Sequence, residues 1–301
     1  MIISVASGKG GTGKTTVATS LALSLNKGVQ FLDCDVEEPN AHIFLKPHIE
    51  KSFPITIPVP KVDLSKCNFC GRCAEVCAYN AIAVIHPVRS NPSRVEDSSS
   101  SARTSNGVRD NVLVFPELCH GCGACSYLCP QGAIKEEGRE IGVVEMGERE
   151  GINFVHGRLN IGEAMSPPLI RAVKECIDFK KNVIIDVPPG VSCPVIESLK
   201  NSDFCLLVTE PTPFGLNDLK LAVQTLKELR IPFAVIINRS DLGNQDVDDY
   251  CKKEDISILM RIPFKKEIAV GYSEGIPLIE TEPEYREKFI GLYKSIEKRL
   301  K

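Results

Sequence analysis

No stretch of this 301-residue chain approaches the ~18 uncharged apolar residues in a row that a transmembrane helix needs, so no membrane span is expected. The first residues, Met1-Ile2-Ile3-Ser4-Val5, run straight into glycines, with neither a basic leader nor a small-residue cleavage site. Charge of one sign is not in excess. The formal net charge is −3 and no basic stripe is visible, which argues against a nucleic-acid partner. Glycine (22) and proline (20) occur at ordinary frequency, which excludes collagen-like or low-complexity character. Hydrophobic residues at 43% and charged residues at 25% suit a globular chain with a sizeable core, and the length suggests about two domains. A soluble cytoplasmic protein is the expectation.

Cysteine is what the chain has in quantity, with 13 residues. A chain of this length without an export signal is not a secreted disulfide scaffold. Eight of the thirteen fall into two tight runs and the other five are scattered among apolar residues. That distribution reads as metal ligation in a reducing compartment.

Ile2-Ile3-Ser4-Val5-Ala6 is an apolar run suited to a buried parallel strand. Gly8-x4-Gly13-Lys14-Thr15 follows at once, and Val17, Ala18, Leu21, Ala22 and Leu25 then recur at helical spacing as far as Gly28. Strand, glycine loop and helix make this a P-loop in its required context. The backbone of Gly8, Gly10, Gly11, Thr12, Gly13 and Thr16 is expected to wrap a nucleotide phosphate. Lys14 should reach the β- and γ-phosphates of ATP, and the Thr15 hydroxyl should bind Mg²⁺.

Two carboxylate stations fit the same picture. Val29-Gln30-Phe31-Leu32 is a second strand, ending in Asp33-Cys34-Asp35, and Asn182-Val183-Ile184-Ile185-Asp186 is a third. The carboxyl edge of an open α/β sheet is where ligands bind. One of the first pair, Asp33, is expected to hold a Mg²⁺-bound water while Asp35 orients the attacking water. Asp186, before Val187-Pro188-Pro189-Gly190, occupies the Walker B position ahead of a switch loop. Further strands over Phe204–Val208, Phe233–Ile237 and Ile256–Leu259 alternate with helical patterns. The fold class is therefore α/β, a doubly wound and mostly parallel sheet. The last helix puts Tyr285, Phe289, Leu292, Ile296 and Leu300 on one face, a stripe expected to pack on the core.

Cys67-x2-Cys70-x2-Cys73-x3-Cys77 is the first cysteine run and Cys119-x2-Cys122-x2-Cys125-x3-Cys129-Pro130 the second. This is the ligand spacing of a bacterial two-cluster ferredoxin, in which the fourth cysteine of each run ligates the other cluster. One [4Fe–4S] cluster would use Cys67, Cys70, Cys73 and Cys129, and the other Cys119, Cys122, Cys125 and Cys77. Structural zinc competes for any CxxC pair, but it does not account for the full run occurring twice. Ala78 stands where the first run would have its proline. Ala81-Ile82 and Ala133-Ile134 follow the runs at equal offset, an internal repeat once the intervening loop is removed. That loop, 86–111, holds seven serines and only four small apolar residues and is expected to be mobile. The runs interrupt the nucleotide-binding pattern. The expected domains are 1–58 with 139–301 for the ATPase and 59–138 for the small α+β ferredoxin insertion.

Gly8-Lys9-Gly10-Gly11-Thr12-Gly13-Lys14-Thr15 resembles the deviant Walker A sequence of the MinD/ParA/nitrogenase-iron-protein ATPases. The interrupted order resembles members of that superfamily with an inserted ferredoxin domain. Asp33-Cys34-Asp35-Val36-Glu37-Glu38-Pro39-Asn40, Leu159-Asn160-Ile161-Gly162-Glu163 and Pro188-Pro189-Gly190-Val191-Ser192-Cys193-Pro194 look like its signature stretches. The resemblance implies a homodimer in which Lys9 reaches the partner's nucleotide, and an adenine contact from Asn238. Cys193 resembles in offset a cluster-bridging cysteine of the nitrogenase iron protein, but without a clear companion cysteine it reads as a plain buried thiol. Cys34, Cys176, Cys205 and Cys251 read as structural.

The function expected is an ATPase in which Lys9, Lys14 and Asp35 serve hydrolysis, and in which dimer switching gates electrons through two [4Fe–4S] clusters to a redox partner. The alternative is an iron–sulfur carrier of Mrp type that delivers clusters to an apoprotein acceptor. A spatial-positioning ATPase is the third reading, weakened by the charge balance.

Overall fold

The computed structural model describes residues 1–86 and 110–301, so the expected mobile insertion lies outside the described residues except at its ends. Eleven strands occur among the described residues: β1 (Ile2–Ala6), β2 (Val29–Asp33), β3 (His48–Val62), β4 (Ile82–Ile85), β5 (Asn111–Val114), β6 (Ile134–Arg149), β7 (Ile152–Leu159), β8 (Asn182–Asp186), β9 (Phe204–Thr209), β10 (Phe233–Asn238) and β11 (Ile258–Ile262). Nine of them form one sheet in the order β11-β10-β9-β1-β8-β2-β7-β6-β3. Every pair from β11 to β7 is parallel. β6 joins β7 antiparallel.

Buried parallel strands need apolar residues on both faces, and the sequence supplies them. β1, β2 and β9 are buried at every position. The chain leaves β1 toward β8 and β2 on one side and returns later to β9 on the other. That reversal opens a crevice at the carboxyl end of β1, the place where doubly wound sheets bind ligands. The helix Lys14–Leu25 descends from that crevice, with Val17, Ala18, Leu21 and Ala22 fully buried. On the same side the helix Tyr285–Leu300 lays Tyr285, Phe289, Leu292 and Ile296 into the core, while Leu300 is exposed. Arg286 donates to the Leu23 carbonyl at 2.9 Å and satisfies an acceptor near the end of the first helix.

The chain divides into two compact units, and the divisions fall inside β3 and β6. The first unit takes Met1–Ile55, Gly142–Ile161 and Ser166–Lys301; the second takes Thr56–Ile141 and Gly162–Met165. In the second unit β4 pairs antiparallel with β5. Two short helices, Arg72–Val76 and Ala124–Tyr127, each start after a glycine in left-handed conformation, Gly71 (φ 79°) and Gly123 (φ 74°). Ala81 and Ala133, at matching places in the repeat, are both buried. No helix among the described residues is long and apolar enough to cross a membrane.

Candidate functional site

Gly11 (φ +77°) and Gly13 (φ +95°) hold the loop after β1 in backbone shapes that side chains disfavour. A side chain at Gly13 would also run into Asn238 Nδ2, and one at Gly8 into the Asp218 carbonyl. The loop opens onto a cavity of ≈ 290 Å³ lined by Gly11, Gly13, Lys14, Thr15, Thr16 and Asn238. Gly10 is exposed at the loop's tip, whereas Thr12 is buried with its hydroxyl unpartnered among the described residues.

Lys14 and Thr15 are both buried at the start of the helix. Thr15 Oγ1 donates to Asp186 Oδ2 at 2.6 Å, and the other Asp186 oxygen is buried with no partner among the described residues. Burial pushes the Asp186 carboxyl up to about 7, against the pull of Lys14 and of the Thr15 hydroxyl. Asp35 is half-buried and is pushed up to about 6, chiefly by burial and further by Glu37 and Glu38, with Lys14 opposing. Asp33 is fully buried beside Asp186. Its carboxylate accepts from the backbone N–H groups of Asp35 (3.1 Å), Asn40 (3.2 Å) and Ala41 (3.1 Å), so it shapes the turn that presents Asp35. Its carboxyl is raised first by burial and then by Asp186. Backbone bonds knit the neighbouring loops: Cys34 N–H to the Asp186 carbonyl at 2.9 Å, and Gly190 N–H to the Ser7 carbonyl at 3.0 Å.

Lys9 is parked on its own chain. Its ammonium lies 3.4 Å from Glu210 Oε2, while Arg239 holds Oε1 of the same carboxylate at 2.5 Å. Asn238 lines the cavity, and its Nδ2 donates to the Thr12 carbonyl at 2.8 Å, which braces the loop. Sequence reasoning missed the opposite wall, made by Arg239, Phe264, Lys265 and Tyr272 among others. The available signal was Pro263-Phe264, which directly follows the strand β11 at the ligand-binding edge.

The second unit places the eight run cysteines around two voids. Cys67, Cys70, Cys73 and Cys129 line one, with Phe69, Pro130 and Ile134. Cys77, Cys119, Cys122 and Cys125 line the other, with Pro58, His120 and Glu136. Each group takes three cysteines from one run and the last of the other. Backbone N–H groups donate to four of the sulfurs: Phe69 to Cys67 (3.4 Å), Ala133 to Cys129 (3.3 Å), Gly121 to Cys119 (3.5 Å) and Ala81 to Cys77 (3.2 Å). Burial raises the Cys73 and Cys125 thiols. Among the described residues no three His, Cys, Asp or Glu side chains converge tightly enough for a single metal ion. A four-iron cluster spreads its cysteine ligands over the corners of a cube and asks for wider spacing than one ion does. Cys193, expected to be a buried thiol, is exposed at the start of the helix Cys193–Leu199, because Val191, Ser192 and Cys193 all lie at the surface; Cys34, Cys205 and Cys251 are buried and Cys176 partly so.

An uncharacterized protein of Methanocaldococcus jannaschii is 28% identical over 300 residues, covering 98% of this chain and 96% of that protein. An iron-sulfur cluster carrier protein of the same organism is 23% identical over 317 residues, covering 99% of this chain and 84% of its own. Ferredoxin-3 of Nostoc sp. matches over 70 residues at 33% identity, 23% of this chain and 68% of that one. Among solved structures, the septum site-determining protein MinD of Pyrococcus horikoshii, complexed with Mg-ADP, superposes with a TM-score of 0.55 at 20% identity, over 98% of this chain and 95% of that one. That likeness shows a shared fold. The model of the CobQ/CobB/MinD/ParA nucleotide binding domain matches residues 3–278. With its P-loop at the switch point of a doubly wound sheet, the chain belongs to that family of MinD/ParA-type P-loop nucleotide-binding proteins.

Proposed function

We propose that this protein is a homodimeric ATPase with two [4Fe–4S] clusters, in which ATP binding and hydrolysis gate electron transfer to a redox partner. The observation that carries the reading is the division of the eight cysteines into two rings of four, each completed by the last cysteine of the other run. Two such rings with N–H donors on their sulfurs fit cubane clusters, because those donors offset the negative charge of a thiolate-bound centre. The similarity to Ferredoxin-3 supports the same reading. When bound, the clusters would supply one-electron chemistry.

The chain's own residues supply the rest. Lys14 and the loop N–H groups would neutralise the β- and γ-phosphates, and Thr15 with Asp186 would hold Mg²⁺. The unpartnered buried oxygen of Asp186 fits that role, since a buried carboxylate oxygen needs a cation or a donor. Asp33 would accept from a metal-bound water while it keeps the Asp35 turn in shape. Asp35 would orient the attacking water. Lys9 would leave Glu210 and cross to the partner's nucleotide, and Asn238 would contact adenine from the cavity wall. Gly190, next to Ser7, would let the loop after β8 respond to loss of the γ-phosphate.

Anaerobic purification with iron counting, electron paramagnetic resonance and an ATPase assay on one sample tests the reading. About eight irons per chain and a reducible signal are expected; colourless material, or about one zinc per chain, sinks it. Lys9→Ala should keep nucleotide binding and lose hydrolysis, and unchanged turnover would remove the crossing lysine. The similarity to an iron-sulfur cluster carrier protein favours a second reading, delivery of clusters to an apoprotein. Retention of both clusters through many turnovers beside an apo-ferredoxin acceptor supports electron transfer, and loss of iron to the acceptor supports delivery.

A further inference from the structure

The cysteine runs repeat, and so do the places beside them. Each ring is flanked by both residues of its first CxxC loop and by the second residue after the last cysteine of the other run. For the first ring these are Asn68, Phe69 and Gln131, and for the second His120, Gly121 and Tyr79. All six line the voids that their cysteines surround.

Phe69 and Gly121 hold the same place with the same left-handed backbone, φ 54° and φ 64°. That turn aims their N–H groups at the sulfurs of Cys67 (3.4 Å) and Cys119 (3.5 Å). Glycine takes such a backbone freely, whereas a bulky side chain is an outlier there and calls for a reason. Among the described residues Phe69 is the one aromatic side chain at the first void. No ring fits at the matching place of the second, because a side chain on Gly121 would press on Pro58. The second void has Tyr79 and His120 instead, whose rings lie flat on each other with centroids 3.4 Å apart and planes 7° apart. Gln131 and Asn68 give the first void no such pair. Cys119, next to His120, is the one buried cysteine of the eight.

We propose that Phe69 covers the first cluster and the Tyr79–His120 stack covers the second, each holding water off its cluster and so keeping its reduction potential low. The inference rests on the two-cluster reading above. Reduction adds negative charge to a thiolate-bound centre, and water within reach favours that reduced state; an apolar cover withdraws the water. The same covers bar a chelator's way to the iron, as suits clusters that stay in the chain.

The test is a redox titration of the anaerobically purified full chain, followed by electron paramagnetic resonance, with iron release to bathophenanthroline disulfonate measured alongside. Phe69→Gly installs the residue already present at Gly121, so the turn is kept and only the ring goes. It should move one of the two reduction waves to more positive potential by about tenfold in the reduction equilibrium, about 59 mV for one electron, and speed the release of about half the iron. Tyr79→Gln, which copies Gln131, should do the same to the other wave and the other half. Tyr79→Phe keeps the stack and should match wild type. Waves and release rates that stay put in variants holding about eight irons overturn the proposal. So does a single variant that moves both waves equally, or a Tyr79→Phe that behaves like Tyr79→Gln. If Tyr79→Gln misfolds and loses iron, Phe69→Gly decides the matter. A wild-type protein with no wave at all overturns the cluster reading itself, and the iron count tells that failure apart.

Discussion

Gly13 has two constraints in one residue: a left-handed backbone and a neighbour, Asn238, packed against the place where a side chain would go. Gly13→Ala should therefore strain the loop and dislodge the bond from Asn238 to Thr12. The expected cost is about 1–3 kcal/mol in urea unfolding, with a larger loss of nucleotide affinity, because the cradle itself is displaced. His156 on β7 gives the residue-scale expectation for pH. Its Nε2 lies 2.8 Å from Glu145 Oε2 and its ring faces His42 and Phe154. Burial lowers its pKa more than Glu145 raises it, and His42 and Arg158 push the same way as burial. The folded protein thus binds fewer protons there than the unfolded chain. Stability from this residue is present above the unfolded value near 6.5 and is lost as pH falls below it. His156→Gln should flatten that part of the pH–stability curve in denaturant titrations, and an unchanged slope would assign it to other groups.

At the scale of elements, the helix Tyr285–Leu300 shows what periodicity decides. Its four buried side chains sit at helical spacing and seat it against the helix Lys14–Leu25. Phe289→Ala removes a fully buried ring from that seam and should cost about 3–5 kcal/mol by calorimetry or urea unfolding. A different pattern made β1, β2, β8, β9 and β10 legible, because strands buried on both faces read as unbroken apolar runs. β11 was expected two residues early, since Ile256 and Ser257 continue the apolar run ahead of the first paired residue. β3 and β6 left no such trace. Lys-Glu-Glu-Gly-Arg-Glu in β6 and five prolines or lysines in β3 are the composition of mostly exposed strands near a sheet edge, where one face meets water. The site was legible where chemistry fixes spacing, in the glycine loop and the cysteine runs. It was illegible where tertiary packing decides, as in Glu210 under Lys9 and Tyr272 in the cavity wall. Asn238, expected at adenine, braces Thr12, a contact between residues 226 positions apart that no local pattern encodes.

At the scale of the whole molecule, one hydrogen bond ties the Asp35 turn to the chain just beyond Glu163. Glu37 sits in the turn that presents Asp35 and accepts a hydrogen bond from Ser166 Oγ at 2.9 Å. Ser166 follows Gly162–Met165, the short stretch that contributes Glu163 to the second unit. On the reading proposed above, a rearrangement of the Asp35 turn on γ-phosphate loss would change the partner of Ser166, three residues along the chain from Glu163, whose carboxylate pairs with Arg139. Coupling of this kind needs two distinguishable arrangements of one element, biased from both ends. If the two clusters proposed above are present and the bond carries the signal, wild-type protein should show a reduction wave at different potentials with Mg-ADP and with a non-hydrolysable Mg-ATP analogue. Ser166→Ala deletes the hydroxyl without touching either site, and should bring the two potentials together while leaving nucleotide affinity within about threefold, the scale of one modest hydrogen bond. If the nucleotide-dependent difference survives in Ser166→Ala, the signal travels by another route, and the Glu37–Ser166 bond only ties the Asp35 turn to the start of the helix Pro167–Glu175.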